Sequence, residues 1–156
     1  MFDFLADKFS NLFSRFSSNT KKTQADRIVD IVLNNPEIEL FHNDMKETFA
    51  QVKINNHFEL YACHSTNFKI WISKKYYEEL NKVANNDAIR QALNIIEGKA
   101  LFDGRQIKLH NRVAWHNGSI WYDLTDKEHK AIEINENGWK VIDMPPILFQ
   151  RFGHQQ

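Results

Sequence analysis

Three basic side chains, Lys108, His110 and Arg112, alternate along one short stretch of the chain, and Trp121 follows shortly after them. Alternate residues of a β-strand point to the same face, so this pattern places the three side chains side by side. Cations neutralise phosphates, and an exposed aromatic ring can stack on a base. The residues predicted to contact nucleic acid are Lys108, His110, Arg112, Trp121, Lys130 and Arg151.

These residues also have a purely structural interpretation, which the sequence leaves open. Arg112 falls opposite Asp123 in the strand pairing given below, and a cross-strand ion pair of this kind contributes up to ~1 kcal/mol. A helix packed on the sheet would cover Trp121 and prevent it from stacking on a base. The sequence therefore does not decide between a binding surface and an ordinary sheet face.

Histidine and carboxylate side chains in the same region suggest a metal site, but their spacing argues against one. Ligands of zinc or iron must converge on a single ion. His110 and His116 are separated by about 20 Å along a straight strand at ~3.3 Å per residue. His116 and Asp123 are also far apart in the predicted pairing. We therefore predict no metal ligands and no cofactor.

Cys63, the only cysteine, directly precedes His64, and such a pair suggests nucleophilic catalysis. Adjacent strand residues face opposite sides, however, and the sequence indicates no third group that would orient the histidine. We expect a buried thiol without a catalytic role. Since no other catalytic set can be defended, the sequence favours a protein that is not an enzyme.

A β-hairpin must position the basic residues, because Asn117-Gly118 separates two runs that contain apolar residues. An Asn-Gly pair supplies the positive φ angles of a two-residue type I′ turn. Counting outward pairs Trp115 with Ile120, and alternation then sorts the side chains into two faces. The predicted core face carries Val113, Trp115, Ile120, Tyr122 and Leu124. The predicted polar face carries His110, Arg112, His116, Ser119, Trp121 and Asp123.

A second hairpin is predicted at residues 48–63. A three-residue loop at 55–57 pairs Val52 with Leu60 and keeps one face apolar, whereas a two-residue loop would place Val52 opposite Glu59. We therefore predict the three-residue loop.

The C-terminal part of the chain indicates a third hairpin. Residues 130–135 and 139–142 flank an Asn137-Gly138 turn. Pro145-Pro146 then introduces an extended piece at 147–152.

Helices are predicted in the first two thirds of the chain. Thr23 is a suitable N-cap for a helix that reaches about Leu33. Residues 67–83 resemble a strand by composition, but their apolar residues follow helical spacing. A further helix at 87–99 follows Asn85-Asn86.

Residues 1–18 carry apolar side chains every three or four residues, which predicts an amphipathic, Phe-rich helix. Its apolar stripe can pack on the core of this chain, bind a partner or a second copy, or lie on a membrane surface. Acidic residues on its polar face argue against the membrane, because membrane-surface helices favour Lys and Arg. Residues 19–22 are predicted to be a linker, and 23–156 a single domain. The predicted partner-binding residues are Phe2, Leu5, Phe9, Leu12, Phe13 and Phe16.

Composition limits the function classes. The chain has 156 residues, with 20 basic and 20 acidic side chains and a formal net charge of zero. Proteins that coat nucleic acid non-specifically usually carry a basic excess, so the balance argues against that class. A single cysteine excludes an internal disulfide and a four-cysteine zinc site. No apolar run reaches the ~20 residues of a membrane span, and we expect a cytoplasmic protein.

Six segments across residues 40–152 form an ordered series. They are LFH at 40–42, YYEEL at 76–80, EGKALFDG at 97–104, RVAWHNGSIWYDL at 112–124, AIEINENGWKVID at 131–143 and PPILFQRF at 145–152. The series resembles the region that precedes the P-loop ATPase domain in phage- and plasmid-type helicase/primase-like ATP-binding proteins. The resemblance implies a context of mobile-element DNA replication or maintenance. It does not imply ATPase activity here, because the chain lacks a G-x-x-x-x-G-K-[ST] phosphate loop.

Together these patterns predict an α+β fold, with helices and one β-hairpin in the first two thirds and a mainly antiparallel sheet after them. The leading function is a non-catalytic accessory domain of phage or plasmid DNA replication that binds DNA or a replication protein. The alternative is a protein-interaction or oligomerisation module, regulatory or defence-related, that uses the Phe-rich segment. The expected partners are single- or double-stranded DNA, a P-loop ATPase or helicase, or a second copy of the chain.

Overall fold

The computed structural model describes residues 22–55, 57–126 and 128–151. Its helices are α1 (Gln24–Leu33), α2 (Thr66–Leu80) and α3 (Asn86–Phe102). Its strands are β1 (Ile38–His42), β2 (Thr48–Ile54), β3 (His57–Ala62), β4 (Arg105–Gln106), β5 (Leu109–His110), β6 (Val113–His116), β7 (Ser119–Asp123), β8 (Ala131–Asn135), β9 (Gly138–Ile142) and β10 (Leu148–Phe149). The fold is α+β with mainly antiparallel sheets, as predicted.

Each helix begins after a residue whose side chain accepts a hydrogen bond from the first turn. Thr23 accepts from the backbone N–H of Asp26, and the Asp26 carboxylate accepts from the backbone N–H of Thr23. This reciprocal pair is a capping box, which satisfies two N–H groups that the helix itself leaves free. Ser65 accepts from the backbone N–H of Phe68 and Asn85 from that of Ala88, and these single hydrogen bonds cap α2 and α3. The three predicted helices are therefore confirmed, including the one at 67–83 that resembles a strand by composition.

The N-terminal sheet contains β1 to β4 in the order β3-β2-β1-β4, and the three helices pack on one of its faces. β1 pairs antiparallel with β2 and parallel with β4. Burying one large apolar side chain in such a layer contributes about 1.5–3 kcal/mol. The core between helices and sheet includes Ile28, Val52, Phe68, Ile72, Tyr76 and Ile96, each at most 1% exposed.

Cys63 belongs to this core and has no exposed surface. Burial raises the pKa of its thiol to about 12, against a smaller opposing effect of a hydrogen bond with Thr48. A thiol of this kind is protonated at neutral pH and inaccessible to a substrate. The prediction of a buried cysteine is confirmed.

The hairpin of β2 and β3 differs from the prediction by one residue in its register. The strands pair Val52 with Glu59 and Ile54 with His57, which leaves a two-residue loop. Asn55 adopts a left-handed conformation with φ of 54°, as tight hairpin turns require. The three-residue loop is therefore wrong. Glu59 is accommodated opposite Val52 because two histidine side chains meet its carboxylate, as described below.

The C-terminal sheet is an antiparallel meander of β6, β7, β8 and β9. β6 and β7 pair Trp115 with Ile120 as predicted, around Asn117 and Gly118, which both have positive φ. The hairpin of β8 and β9 is also present, with its turn at residues 136–137 because Asn135 pairs with Gly138. The extended piece that follows the prolines forms β10, which pairs in parallel with β5.

The buried face of the C-terminal sheet, here called the inner face, is the one that was predicted to be polar. Trp121 is 5% exposed and packs with Ala114, Ala131 and Ile147. Trp115, on the predicted core face, is 69% exposed. β6 and β7 pair as predicted, so the exchange of the buried and exposed faces is not caused by a register error. It arises because residues 145–151, here called the covering segment, bring both apolar side chains and a cation to the inner face.

The predicted helix at 1–18 and linker at 19–22 fall almost entirely outside the described residues and stay predictions. Among the helices of the described ranges, none combines the length and the apolar character that crossing a bilayer requires. The described part of the chain thus comprises a four-stranded sheet covered by helices, a four-stranded sheet covered by the covering segment, and the two-stranded sheet of β5 and β10.

Gly104 follows α3 at the point where the chain passes against the backbone of β1. A Cβ atom at Gly104 would lie 2.4 Å from the carbonyl oxygen of Ala100 and 2.8 Å from that of Leu40. We expect Gly104→Ala to lower the free energy of unfolding by about 1–3 kcal/mol, because backbone atoms must shift to admit the methyl group. Urea denaturation measures this change.

Gly98→Ala, within α3, is the matched control, since a Cβ at Gly98 meets nothing within 4 Å. We expect it to raise stability by about 0.5–1 kcal/mol, because alanine restricts the unfolded chain more than glycine does. Equal effects of the two substitutions would contradict the close approach at Gly104.

Candidate functional site

The outer apolar face of the C-terminal sheet is a grid of eight side chains, two from each strand. Cross-strand pairing aligns them in two rows. One row contains Trp115, Ile120, Ile134 and Trp139, and the other contains Val113, Tyr122, Ile132 and Val141. At ~4.8 Å between neighbouring strands, the face is about 14 Å wide.

The exposure of this face is unusual for so many large side chains. Trp139 is 72% exposed, Trp115 is 69% exposed, and Val113, Ile120, Ile134 and Val141 are exposed as well. None of the eight side chains carries a charge, although the Arg112 guanidinium lies 5.5 Å from the centre of the Tyr122 ring. Contiguous exposed apolar patches of this kind mark interaction sites more often than single exposed residues do.

The inner face contains a buried ion pair between Asp123 and Arg151. Asp123 lies at the end of β7 and is 1% exposed. Arg151 donates from Nε to Asp123 Oδ2 at 2.9 Å and from Nη2 to Asp123 Oδ1. Its Nη1 donates to the backbone carbonyl of Asp126 at 2.6 Å. One arginine therefore ties the covering segment both to the sheet and to the loop after β7.

Two aspartates fix the described residues of the loop between β7 and β8. The backbone N–H of Thr125 donates to Asp123 Oδ1 at 3.1 Å, and that of Lys130 donates to Asp126 Oδ1 at 2.8 Å. His129 adopts a left-handed conformation with φ of 59° within this loop. The result is that the His129 side chain reaches the edge strand β3 of the other sheet.

His57, Glu59 and His129 form a compact cluster there. His57 and Glu59 are two residues apart on β3, so their side chains lie on the same face of the strand. Glu59 Oε1 lies 3.1 Å from His57 Nε2 and 3.4 Å from His129 Nε2. The two imidazole rings stack with centroids 5.4 Å apart and an interplanar angle of 13°. This stacking aims both Nε2 atoms at one carboxylate oxygen.

The cluster is partly accessible and electrostatically coupled. The side chains of His57, Glu59 and His129 are 25%, 33% and 26% exposed. The hydrogen bond with His129 lowers the pKa of the Glu59 carboxyl below its ordinary value; partial burial opposes this effect, and His57 reinforces it. Among the described residues, one ligand atom from each of these three lies within 4.8 Å of the others, which is the convergence that a metal site requires.

A cavity of about 190 Å³ adjoins the cluster. His57 and His129 line one part of it, and the ion pair of Asp123 and Arg151 lines another. Its remaining walls are mostly apolar and include Phe58, Leu60, Ile147 and Phe149, together with the polar side chains of Gln51, Glu128 and Asp143. The cavity therefore lies between the two sheets, beside the groups that join them.

The six residues predicted to contact nucleic acid are not brought together as one surface. Trp121 is buried on the inner face, so its ring is not accessible for stacking on a base. Arg151 is committed to Asp123 and lines the cavity between the sheets. Lys130 lies at the end of the loop after β7, next to His129. The cation that pairs with Asp123 is Arg151 and not Arg112, whose cross-strand pair with Asp123 was the structural alternative.

Lys108 and His110 do lie together, in a shallow groove that also includes Arg105, Trp115 and His116. Arg105 is paired with Glu39 across the neighbouring strand, which reduces the positive charge available there. Burial, with Lys108 and His116 adding to it, lowers the pKa of His110, so this imidazole is neutral at physiological pH. The groove therefore offers a nucleic acid less charge than the sequence pattern suggests.

The histidine–glutamate cluster was not predicted from the sequence. Its searchable signal is His57-x-Glu59, a spacing that puts two potential ligands on one face of a strand. The third member comes from a loop in the other half of the chain, and no local pattern links it to β3. Only the packing of the two sheets brings these residues together.

Removal of Arg151 tests whether the covering segment depends on the ion pair. We expect Arg151→Ala to lower the free energy of unfolding by about 3–5 kcal/mol, because it leaves the Asp123 carboxylate buried without a partner. Thermal and urea unfolding followed by near-UV circular dichroism, to which the buried Trp71 and Trp121 both contribute, measure the loss.

Arg105→Ala is the matched control, since it removes an exposed pair with Glu39. Surface pairs contribute about 0–1 kcal/mol, so this variant should unfold almost as the parent does. If Arg151→Ala lowered the free energy of unfolding as little as Arg105→Ala does, the stabilising role of the buried pair would be refuted.

Comparison with known proteins leaves the geometry as the main guide to function. The chain matches no protein-family model, no curated protein and no solved structure. The resemblance to the region before a phage or plasmid ATPase domain therefore stays a prediction from the sequence. Three features of the described residues are candidates for binding: the outer apolar face, the groove that contains Lys108 and His110, and the histidine–glutamate cluster.

Proposed function

We propose that this chain is a non-catalytic accessory domain of phage or plasmid DNA replication that binds a replication protein through its outer apolar face. The replication context comes from the resemblance of residues 40–152. The choice of a protein over DNA is carried by one observation, the eight uncharged side chains that cover four strands. The occupant that fits this face is an apolar protein surface.

A nucleic acid fits the same face poorly. Affinity for DNA comes largely from Lys and Arg side chains that neutralise phosphates. The outer apolar face offers aromatic rings for stacking but has no charged side chain among the eight, and the chain has no net charge. Protein interfaces, by contrast, are enriched in aromatic residues and depleted of charge at their centres, as this face is.

The Phe-rich segment at 1–18 supports a second candidate function. In the helix predicted for this segment, six apolar side chains form one stripe, and the outer apolar face of the same chain matches that stripe in its apolar character. In this alternative the segment occupies the face of its own or a second copy, and the chain is an oligomerisation or regulatory module. The two candidates differ in what covers Trp115 and Trp139.

The first experiment measures binding to a partner directly. The probes are the P-loop ATPase encoded in the same replication module, labelled single-stranded DNA and labelled duplex DNA. We expect the full chain to bind the ATPase, and Trp139→Ser to weaken this binding at least ~10-fold, because tryptophan is enriched among the hot spots of protein interfaces.

Phe102→Ser is the matched control, since Phe102 is 82% exposed on α3, outside the outer apolar face. It should leave ATPase binding unchanged. Salt-dependent binding of DNA that survives Trp139→Ser but is lost in Lys108→Ala would overturn the proposal and assign function to the groove instead.

The second experiment asks whether the Phe-rich segment covers the face. Trp115 and Trp139 are exposed, whereas Trp71 and Trp121 are buried, so acrylamide quenching of fluorescence reports mainly on the outer apolar face. Under the leading proposal we expect the full chain and a Phe9→Ser/Phe13→Ser variant to be quenched equally, and both to be monomeric by light scattering. Stronger quenching in the variant, or loss of an oligomer, would favour the second candidate.

A further inference from the structure

The cluster of His57, Glu59 and His129 has the composition and spacing of a metal site that no residue pattern predicted. We infer that these three side chains bind a divalent transition-metal ion of the zinc class. The inference does not depend on the proposed function, because it concerns the junction between the sheets and not the outer apolar face.

The distances fit a shared ion. Zinc lies about 2.0–2.2 Å from imidazole nitrogen and carboxylate oxygen, which separates neighbouring ligand atoms of a tetrahedral site by roughly 3.3 Å. Glu59 Oε1 lies 3.1 Å from His57 Nε2 and 3.4 Å from His129 Nε2, and all three ligand atoms are within 4.8 Å of one another. Only a small adjustment is needed for an ion to replace the direct contacts.

The surrounding structure holds the ligands in place. His57 and Glu59 are fixed side by side on β3, which is paired with β2 along its length. His129 is held by a loop that Asp123, Asp126 and Arg151 fix through backbone hydrogen bonds. A site whose ligands are already positioned loses little ordering entropy when the ion binds.

The ligand chemistry selects the class of ion. Two imidazoles and one carboxylate suit zinc and neighbouring transition metals, whereas calcium and magnesium prefer sites made of oxygen atoms alone. Three protein ligands leave a coordination position for water or another group. The adjoining cavity, which His57 and His129 help to line, gives that position room.

An ion at this site would connect the two sheets. His57 and Glu59 belong to the N-terminal sheet, and His129 belongs to the loop between β7 and β8 of the C-terminal sheet. Because binding is confined to the folded arrangement, the ion should stabilise the packing of one sheet against the other. Metal binding is therefore expected to raise the melting temperature as well as to saturate.

The test uses the full chain with any affinity tag removed, because a histidine tag would bind the ion itself. Zinc binding is measured by calorimetry, and cobalt binding by the visible absorption of a tetrahedral complex. We expect one ion per chain, a higher melting temperature with zinc, and reversal by a chelator. Since outer residues that support a metal site already change affinity about 10–100-fold, loss of a ligand should cost ~100-fold or more.

The variants are His57→Ala, Glu59→Gln and His129→Asn, with His64→Ala as the control. Asparagine tolerates the left-handed backbone of position 129 better than alanine does, so His129→Asn separates loss of a ligand from loss of the loop. We expect all three cluster variants to lose the affinity and the thermal shift, and His64→Ala, an exposed histidine elsewhere, to retain both. Absence of saturable binding at micromolar zinc, or equal binding by the cluster variants and the parent, would overturn the inference.

Discussion

The buried pair of Asp123 and Arg151 is the interaction on which the C-terminal half depends. An aspartate that is 1% exposed would be costly without a cation, since an unpaired buried charge loses its hydration without compensation. Arg151 supplies that cation from the far end of the described chain. Because the arginine arrives on the covering segment, the same contact draws Ile147 and Phe149 over Trp121. Charge pairing and apolar burial therefore reinforce each other at one surface.

This pair also determines the sidedness of the sheet. Each strand of the meander has apolar residues on both faces, so hydrophobicity alone does not select the face that becomes buried. The covering segment is short and can cover only one side. The side with Asp123 is covered, and the more uniformly apolar side is left exposed. The buried ion pair on the inner face therefore leaves the outer apolar face exposed.

Local rules predicted much of the fold, and long-range contacts explain what they did not predict. The cap at Thr23, the helix start after Asn85-Asn86, the helical spacing at 67–83 and the turn at Asn117-Gly118 involve neighbours in sequence, and they were predicted correctly. The parallel pairings of β1 with β4 and of β5 with β10 join segments that are distant in sequence, and no local sequence pattern predicted them. The loop of the first hairpin was mispredicted for the same reason, because Glu59 is stabilised opposite Val52 by histidines that include one from the other sheet. The candidate sites followed this division: the basic stretch was visible in the sequence, whereas the burial of Trp121, the pairing of Arg151 with Asp123 and the histidine–glutamate cluster were not.

The order in which the two cores are completed has a consequence for synthesis on the ribosome. The core between helices and N-terminal sheet uses residues from Ile28 to Ala100, so it can form while the rest of the chain is still being made. The core of the C-terminal sheet needs Ile147, and its buried aspartate needs Arg151. Until those residues leave the exit tunnel, the meander has apolar side chains open on both faces. Transiently exposed apolar surface favours aggregation, and the covering segment ends that exposure for the inner face.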